Sequence, residues 1–275
     1  MNGAANRMPK FLGLVLVALQ ALSPLAQEQP GSLYGGASVV FEQAQLLKPI
    51  EGTNPAVAYA LAPLLIQEVK GTNSGRLSPR EVFFWFGSIR LHGREHPQVS
   101  YWWRLEDAEL SPGAPETGRA TKQSASARWQ GLRQTLDDSG RPVIYEVLAD
   151  PAAVAQIYIA QSVEAAARAE FGAALPGRRF ASEASLDAAP RVVVPRVIED
   201  APAVMGPILY LRAGTREVAT LICRCMASQA IQLVGTGYYK LIDAPPPSTI
   251  TSPPGQLEEL LRFPRPTGID TNSPR

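Results

Sequence analysis

The residues best able to do chemistry are two histidines and two cysteines, and the chain has no others of either type. His92 and His96 lie together in the segment LHGREHP, and Cys223 and Cys225 are separated by one arginine. Imidazole nitrogens and thiolates are ligands that zinc prefers. One hypothesis is therefore a zinc site that combines all four side chains. Any histidine-dependent mechanism must use the 92–96 segment.

That segment reads His-x-x-Glu-His and so resembles the short motif of the inverted zinc peptidases, in which a helix carries both histidines. Here the segment falls between two predicted strands, and Gly93 and Pro97 disfavour a helix. We therefore do not assign the chain to that family. GxSxG, P-loop and GxGxxG motifs are also absent from the sequence.

The cysteine pair allows three interpretations. In a regular strand, Cys223 and Cys225 would share a face with their Cα atoms about 6.6 Å apart, near the upper limit for a disulfide. The pair could form a strained or catalytic redox bridge. It could instead remain as two buried, inert thiols, or it could contribute to the zinc site.

Other side chains offer weaker candidates. Trp102 shares a predicted strand face with polar neighbours, so Trp102 and Arg104 are candidates for binding a sugar or a peptide. Glu146 and Glu183 lie in or near strands and would be candidate acids or bases if they are buried. Pairing of these carboxylates with arginine is the alternative.

The first 26 residues have the features of a secretory signal peptide. Arg7 and Lys10 precede the apolar run FLGLVLVALQAL, and Ala26 is a small residue suited to cleavage. This run is shorter than the roughly 20 residues that span a bilayer. We therefore expect a periplasmic or secreted protein without a transmembrane span after cleavage. The whole chain carries a formal charge of +1, which gives no general affinity for nucleic acid.

Turn-forming and apolar patterns predict an α+β fold with a mainly antiparallel sheet. One helix is expected from Asn54-Pro55 to about Gly71, and a second from Asp150-Pro151 to Phe171. Two hairpins are expected, one joined by residues 92–97 and one by residues 137–142. A three-strand meander is expected over 208–242.

Residues 27–243 are expected to form a single domain, with a subdivision near the polar stretch 109–126 left open. Residues 244–275 contain eight prolines and are expected to form an extended tail. Within this tail, QLEELLRF (256–263) could form one or two helical turns. It could dock on its own domain, stay disordered or capture a partner. These features favour an exported, non-catalytic module of a bacterial cell envelope that binds an envelope protein or a glycan. The alternative is an extracytoplasmic metal- or thiol-dependent enzyme centred on the histidines and cysteines.

Overall fold

The computed structural model describes residues 41–52, 54–69, 79–105, 128–149, 153–184, 194–213, 216–226, 232–248 and 256–264. The predicted signal peptide and the polar stretch 109–126 lie outside these ranges. None of the helices in the described ranges is long and apolar enough to cross a membrane.

The described residues form eleven strands, three short α-helices and one turn of 3-10 helix. The strands are β1 (Gln43–Pro49), β2 (Leu64–Glu68), β3 (Glu81–Leu91), β4 (Arg94–Leu105), β5 (Arg128–Leu136), β6 (Pro142–Ala149), β7 (Ala153–Ala160), β8 (Val197–Ile198), β9 (Ile208–Leu211), β10 (Val218–Ile222) and β11 (Gln232–Asp243). The helices are α1 (Ala56–Leu61), α2 (Gln161–Phe171), α3 (Gln256–Leu260) and the 3-10 helix (Arg224–Met226).

All eleven strands belong to one mixed sheet in the order β10-β9-β2-β1-β11-β3-β4-β5-β6-β7-β8, which is nearly closed into a barrel. The pairs β1–β11, β11–β3, β2–β9 and β7–β8 are parallel, and the other pairs are antiparallel. Two side chains of β5 form hydrogen bonds with residues at the start of β10, which is an edge strand of the sheet. Gln130 Oε1 accepts a bond from Val218 N at 3.2 Å, and Arg128 pairs with Glu217 at 2.9 Å.

The α+β prediction is wrong: the chain is mostly β, with one eleven-stranded mixed sheet and few helices, and part of each predicted helix is strand. After Leu61, Pro63 holds Ala62 in an extended conformation (ψ 135°), and the apolar run that follows pairs as β2. Residues 153–160 form β7, and α2 begins only at Gln161. That stretch contains Val154, Ile157 and Ile159, whose branched side chains favour a strand over a helix.

The local pairings are predicted better than the distant ones. Both hairpins, β3–β4 and β5–β6, are antiparallel as expected. The first turn is only His92–Gly93, with φ angles of 48° and 80°, so residues 94–97 belong to β4 and not to a loop. The predicted meander is wrong: β9 pairs with β10, but β11 lies between β1 and β3.

Helix α1 packs one face against the barrel core: Ala58 and Leu61 are buried, whereas Val57 and Tyr59 are exposed. The backbone carbonyls of α1 and of the two residues after it are satisfied by donors from the helix's own last turn, from three strands, from Gly206 and from Arg224. The carbonyls of residues 58–63 each accept a hydrogen bond, two from backbone N–H groups and four from side chains. The bonds run from Tyr101 Oη to Ala58 (2.6 Å), Ala62 N to Tyr59 (3.3 Å), Gly206 N to Ala60 (2.9 Å), Gln134 Nε2 to Leu61 (2.8 Å), Arg224 Nη2 to Ala62 (2.6 Å) and Tyr239 Oη to Pro63 (2.5 Å).

These bonds replace the capping that a helix end needs when water cannot reach it. Burial raises the pKa of Tyr101 and of Tyr239 well above the ordinary tyrosine range, so both phenols are kept as donors. Burial also lowers the pKa of Arg224, which the neighbouring phenols Tyr239, Tyr59 and Tyr101 partly offset. The interior is therefore a packed core that includes the buried face of α1.

The outer face of β3 to β7 is covered by α2, α3 and the residues that follow them. Its apolar residues form a cluster with α2, α3 and the residues that follow each helix. Leu257 and Leu261 are both buried in this cluster. The 256–263 segment therefore docks on its own domain, which is one of the three outcomes that the sequence allows.

Candidate functional site

The first candidate site lies where the β3–β4 hairpin meets residues 256–264, called here the C-terminal segment. His92 donates its backbone N–H to Glu258 Oε1 at 2.8 Å, and its Nε2 is 2.8 Å from the carbonyl oxygen of Phe263. The Phe263 ring stacks on the His92 ring at 6.3 Å and meets the His96 ring edge-on at 6.0 Å. The two histidines are thus brought together around one phenylalanine.

Beside this contact is an open cleft of about 220 Å³. Four parts of the chain form its walls: the start of β4, the β5–β6 turn, the first half of α2 and the C-terminal segment. Its lining residues are Arg94, His96, Asp137, Asp138, Val143, Ser162, Val163, Ala166, Phe263 and Pro264. His96 Nε2 is buried and has no hydrogen-bond partner within the described part of the chain.

The charged groups at the rim of the cleft are already paired with one another. Arg94 forms an ion pair with Asp138. Asp137 Oδ1 accepts bonds from the Ser139 N–H, the Ser139 hydroxyl and the Arg141 N–H. Burial alone would raise the pKa of Asp137, but these bonds outweigh it and lower that pKa. The rim therefore presents little uncompensated charge to a ligand.

Ser162 closes the rim at the start of α2. Its hydroxyl donates to Asp200 Oδ1 at 2.5 Å, and its backbone N–H donates to Asp200 Oδ2 at 3.1 Å. Asp200 thereby acts as the N-terminal cap that the helix lacks in its own sequence. This serine is held as part of the helix start, and its hydrogen-bond partner within the described ranges is Asp200 and not a histidine.

The buried carboxylates are held in structural bonds. Glu146 accepts two bonds from the Arg133 guanidinium, at 2.5 and 2.7 Å. Glu183 accepts the backbone N–H groups of Arg179 and Phe180, both at 2.9 Å, and lies 3.8 Å from the Arg178 guanidinium. The sequence leaves a catalytic role for Glu146 and Glu183 open beside pairing with arginine, and pairing is what the structure has.

Glu164 is a third buried carboxylate, four residues before Arg168 on α2. It accepts bonds from Ala181 N, Ser182 N and the Ser182 hydroxyl, in addition to Arg168. These bonds attach α2 to residues 181–182. The pattern Glu-x-x-x-Arg signals the Arg168 pair, but no local signal indicates the contact with residues 181–182.

Trp102 and Arg104, the two residues of β4 predicted to bind a ligand, differ in their exposure to solvent. Trp102 is only 1% exposed and lies stacked on Phe83 with ring centroids 6.3 Å apart. Arg104 is exposed. Within the described ranges, the exposed aromatic residues are instead Tyr59, Trp85, Phe86 and Tyr238.

Cys223 and Cys225 form a disulfide with their Cα atoms 5.2 Å apart. This distance is shorter than in a strand because β10 ends at Ile222 and Cys225 lies in the 3-10 helix. Cys223 packs in the barrel core, whereas His92 and His96 contact Phe263 of the C-terminal segment. Among the described residues, no group of three or more His, Cys, Asp or Glu side chains is arranged to hold a metal ion.

The chain matches no protein-family model, and comparison with curated proteins and with solved structures finds no similar protein.

Proposed function

We propose that the chain is an exported, non-catalytic module of a bacterial cell envelope that binds a partner protein in the cleft between β4, α2 and the C-terminal segment. The observation that carries this proposal is the composition of the cleft. Val143, Val163, Ala166, Phe263 and Pro264 supply an apolar wall, and an ion-paired rim surrounds it. Apolar walls with a few fixed polar groups are typical of binding sites for side chains and small molecules.

The rim favours a protein side chain over a glycan as the ligand. A sugar needs several free donors and acceptors to replace its bonds to water. Asp137 is already bonded to Ser139 and Arg141, and Asp138 is paired with Arg94. An aliphatic or aromatic side chain needs only apolar contact, which the wall provides.

The cleft can be tested by filling it. Ala166 lines the cleft, whereas its neighbour Ala165 is exposed on the same helix. We expect A166W to abolish binding of N-acetyl-leucine amide and N-acetyl-tyrosine amide, measured by NMR chemical-shift titration. The matched variant A165W should bind these probes as the native protein does.

Maltose serves as the second probe in the same titration and should produce no shifts in the cleft. If maltose produces chemical shifts in the cleft and A166W abolishes them, the ligand of the cleft is a glycan and not a protein. Equal binding of the amino-acid amides to A166W and A165W would contradict the cleft as the site.

Export is tested separately from binding. The signal-peptide features predict a mature N-terminus near residue 27. N-terminal sequencing of the protein recovered from the periplasm or medium of a Gram-negative host measures this directly. Recovery only from the cytoplasm, with Met1 in place, would contradict export and leave the cleft result unaffected.

A further inference from the structure

The two sulfur atoms of the Cys223–Cys225 disulfide lie in unequal surroundings. Cys223 follows the last residue of β10 and is 3% exposed, packed in the barrel core. Cys225 lies in the 3-10 helix and is exposed to solvent. A thiolate from another molecule can therefore approach the Cys225 end of the bond and not the Cys223 end.

The bridge contributes little to holding the fold. It joins residues separated by two positions, and the stabilisation that a disulfide gives by restricting the unfolded chain is smallest for the shortest loops. The same stretch is held independently, because β10 pairs with β9 and Arg224 Nη2 donates to Ala62 O at 2.6 Å. Opening the bridge should therefore leave the barrel folded.

The structure also supports Cys223 as the leaving group. The backbone N–H of Cys225 donates to Cys223 Sγ at 3.3 Å. A hydrogen bond to sulfur stabilises the thiolate relative to the thiol and so offsets part of the desolvation that burial in the core imposes on a Cys223 thiolate. A stabilised thiolate leaves faster from a disulfide. The donor comes from the bridge's own turn, so this bond does not depend on a distant element.

We propose that Cys223–Cys225 is a thiol–disulfide exchange site that accepts two electrons from a dithiol of a second exported molecule at Cys225. In the first step a partner thiolate attacks Cys225 Sγ, the Cys223–Cys225 bond breaks, and its electron pair leaves on Cys223 Sγ. A mixed disulfide then joins the partner to Cys225. In the second step the partner's other thiolate attacks the partner sulfur atom of that mixed disulfide. A disulfide forms within the partner, and Cys225 is released as a thiolate.

The net reaction converts the partner's dithiol to a disulfide and this chain's disulfide to two thiols. Two protons pass from the partner's thiols to Cys223 and Cys225 as their thiolates are protonated. Two monothiols acting in succession give the same balance. No metal or other cofactor is consumed, and the oxidant is the bridge itself.

Equilibration of the full mature chain with glutathione redox buffers tests the proposal on the native protein. After alkylation, mass spectrometry measures the reduced fraction, and circular dichroism measures folding in the same samples. We expect the bridge to open at glutathione ratios that leave the circular dichroism spectrum unchanged. A bridge that opens only together with unfolding would overturn the proposal.

The two single-cysteine variants serve as matched controls for direction. C223S leaves the exposed thiol and C225S leaves the buried one. We expect C223S to form a mixed disulfide with oxidised glutathione about tenfold or more faster than C225S, since exposure and thiolate access control this rate. Equal rates in two folded variants would contradict attack at Cys225, and if either variant fails to fold, the titration of the native chain still decides.

Discussion

At the scale of single residues, the barrel interior depends on donors that reach the carbonyls of residues 58–63. Tyr239 is fully buried, and its hydroxyl donates to Pro63 O at 2.5 Å. The carbonyl of Pro63 has no access to water as a substitute. Each such bond is therefore worth more than an exposed one, because its loss leaves a buried acceptor without a partner.

The substitution Y239F tests this directly. It removes one oxygen and leaves the ring in place, so we expect the free energy of unfolding to fall by about 1–3 kcal/mol. Urea unfolding followed by circular dichroism measures the change. The neighbouring variant Y238F is the control, since Tyr238 is 62% exposed, and should change stability by less than about 0.5 kcal/mol. Equal effects of both variants would show that the carbonyl is satisfied in another way.

Gly206 is a second single-residue determinant of the interior. A Cβ atom at this position would lie 2.1 Å from the carbonyl oxygen of Leu61, which is backbone and cannot move aside as a side chain could. We expect G206A to lower the free energy of unfolding by about 3 kcal/mol or more, since overpacking against backbone forces the helix to shift.

Gly87 supplies the control for that experiment. It lies in β3, and a Cβ atom added there would have no neighbouring atom within 4 Å. G87A should therefore leave stability unchanged or raise it slightly, because alanine restricts the unfolded chain more than glycine does. A G206A protein as stable as G87A would mean that α1 does not pack against residue 206 in solution.

At the scale of elements, the sequence predicts those parts of the fold that depend on local signals. The hairpin β5–β6 follows from its dense cluster of turn residues, and the alternation in β4 correctly separates Tyr101 and Trp103 from Trp102. The position of β11 between β1 and β3 could not be predicted, because that pairing joins residues almost 190 positions apart. Local patterns carry no information on such distant partners.

The same limit applies to the candidate site. The sequence singles out His92 and His96. His96 lines the cleft, and His92 contacts Phe263 of the C-terminal segment. It does not identify Ala166, Ser162 or Phe263, because these come from elements that only the fold brings together. The amphipathic pattern of QLEELLRF is the one available signal for the wall formed by the C-terminal segment.

Docking of the C-terminal segment is an element-scale prediction. Leu261 is buried in the outer cluster, and Glu259 is exposed on the adjacent helix. We expect L261A to lower the free energy of unfolding by about 2–5 kcal/mol, as large-to-small changes in a core do. E259A should have little effect. Urea unfolding measures both, and an unchanged L261A protein would mean that the segment does not remain docked.

At the scale of the whole molecule, four buried tyrosines make the stability of the barrel depend on pH. Burial raises the pKa of Tyr158 to about 12, and it also raises the pKa of Tyr101, Tyr145 and Tyr239. In the unfolded chain these phenols titrate near pH 10. Above that pH the folded state holds protons that the unfolded state has lost, so stability falls as the pH rises.

The sign of this linkage gives the last prediction. The stabilisation is fully present below about pH 10 and is lost as the pH rises through the raised pKa values of the folded state. We expect the urea midpoint to fall steeply above about pH 10. Phenolate absorbance of the buried tyrosines should appear together with the loss of circular dichroism, because they ionise only when the barrel opens. Ionisation of all eight tyrosines in a protein that stays folded at that pH would contradict a water-excluding interior.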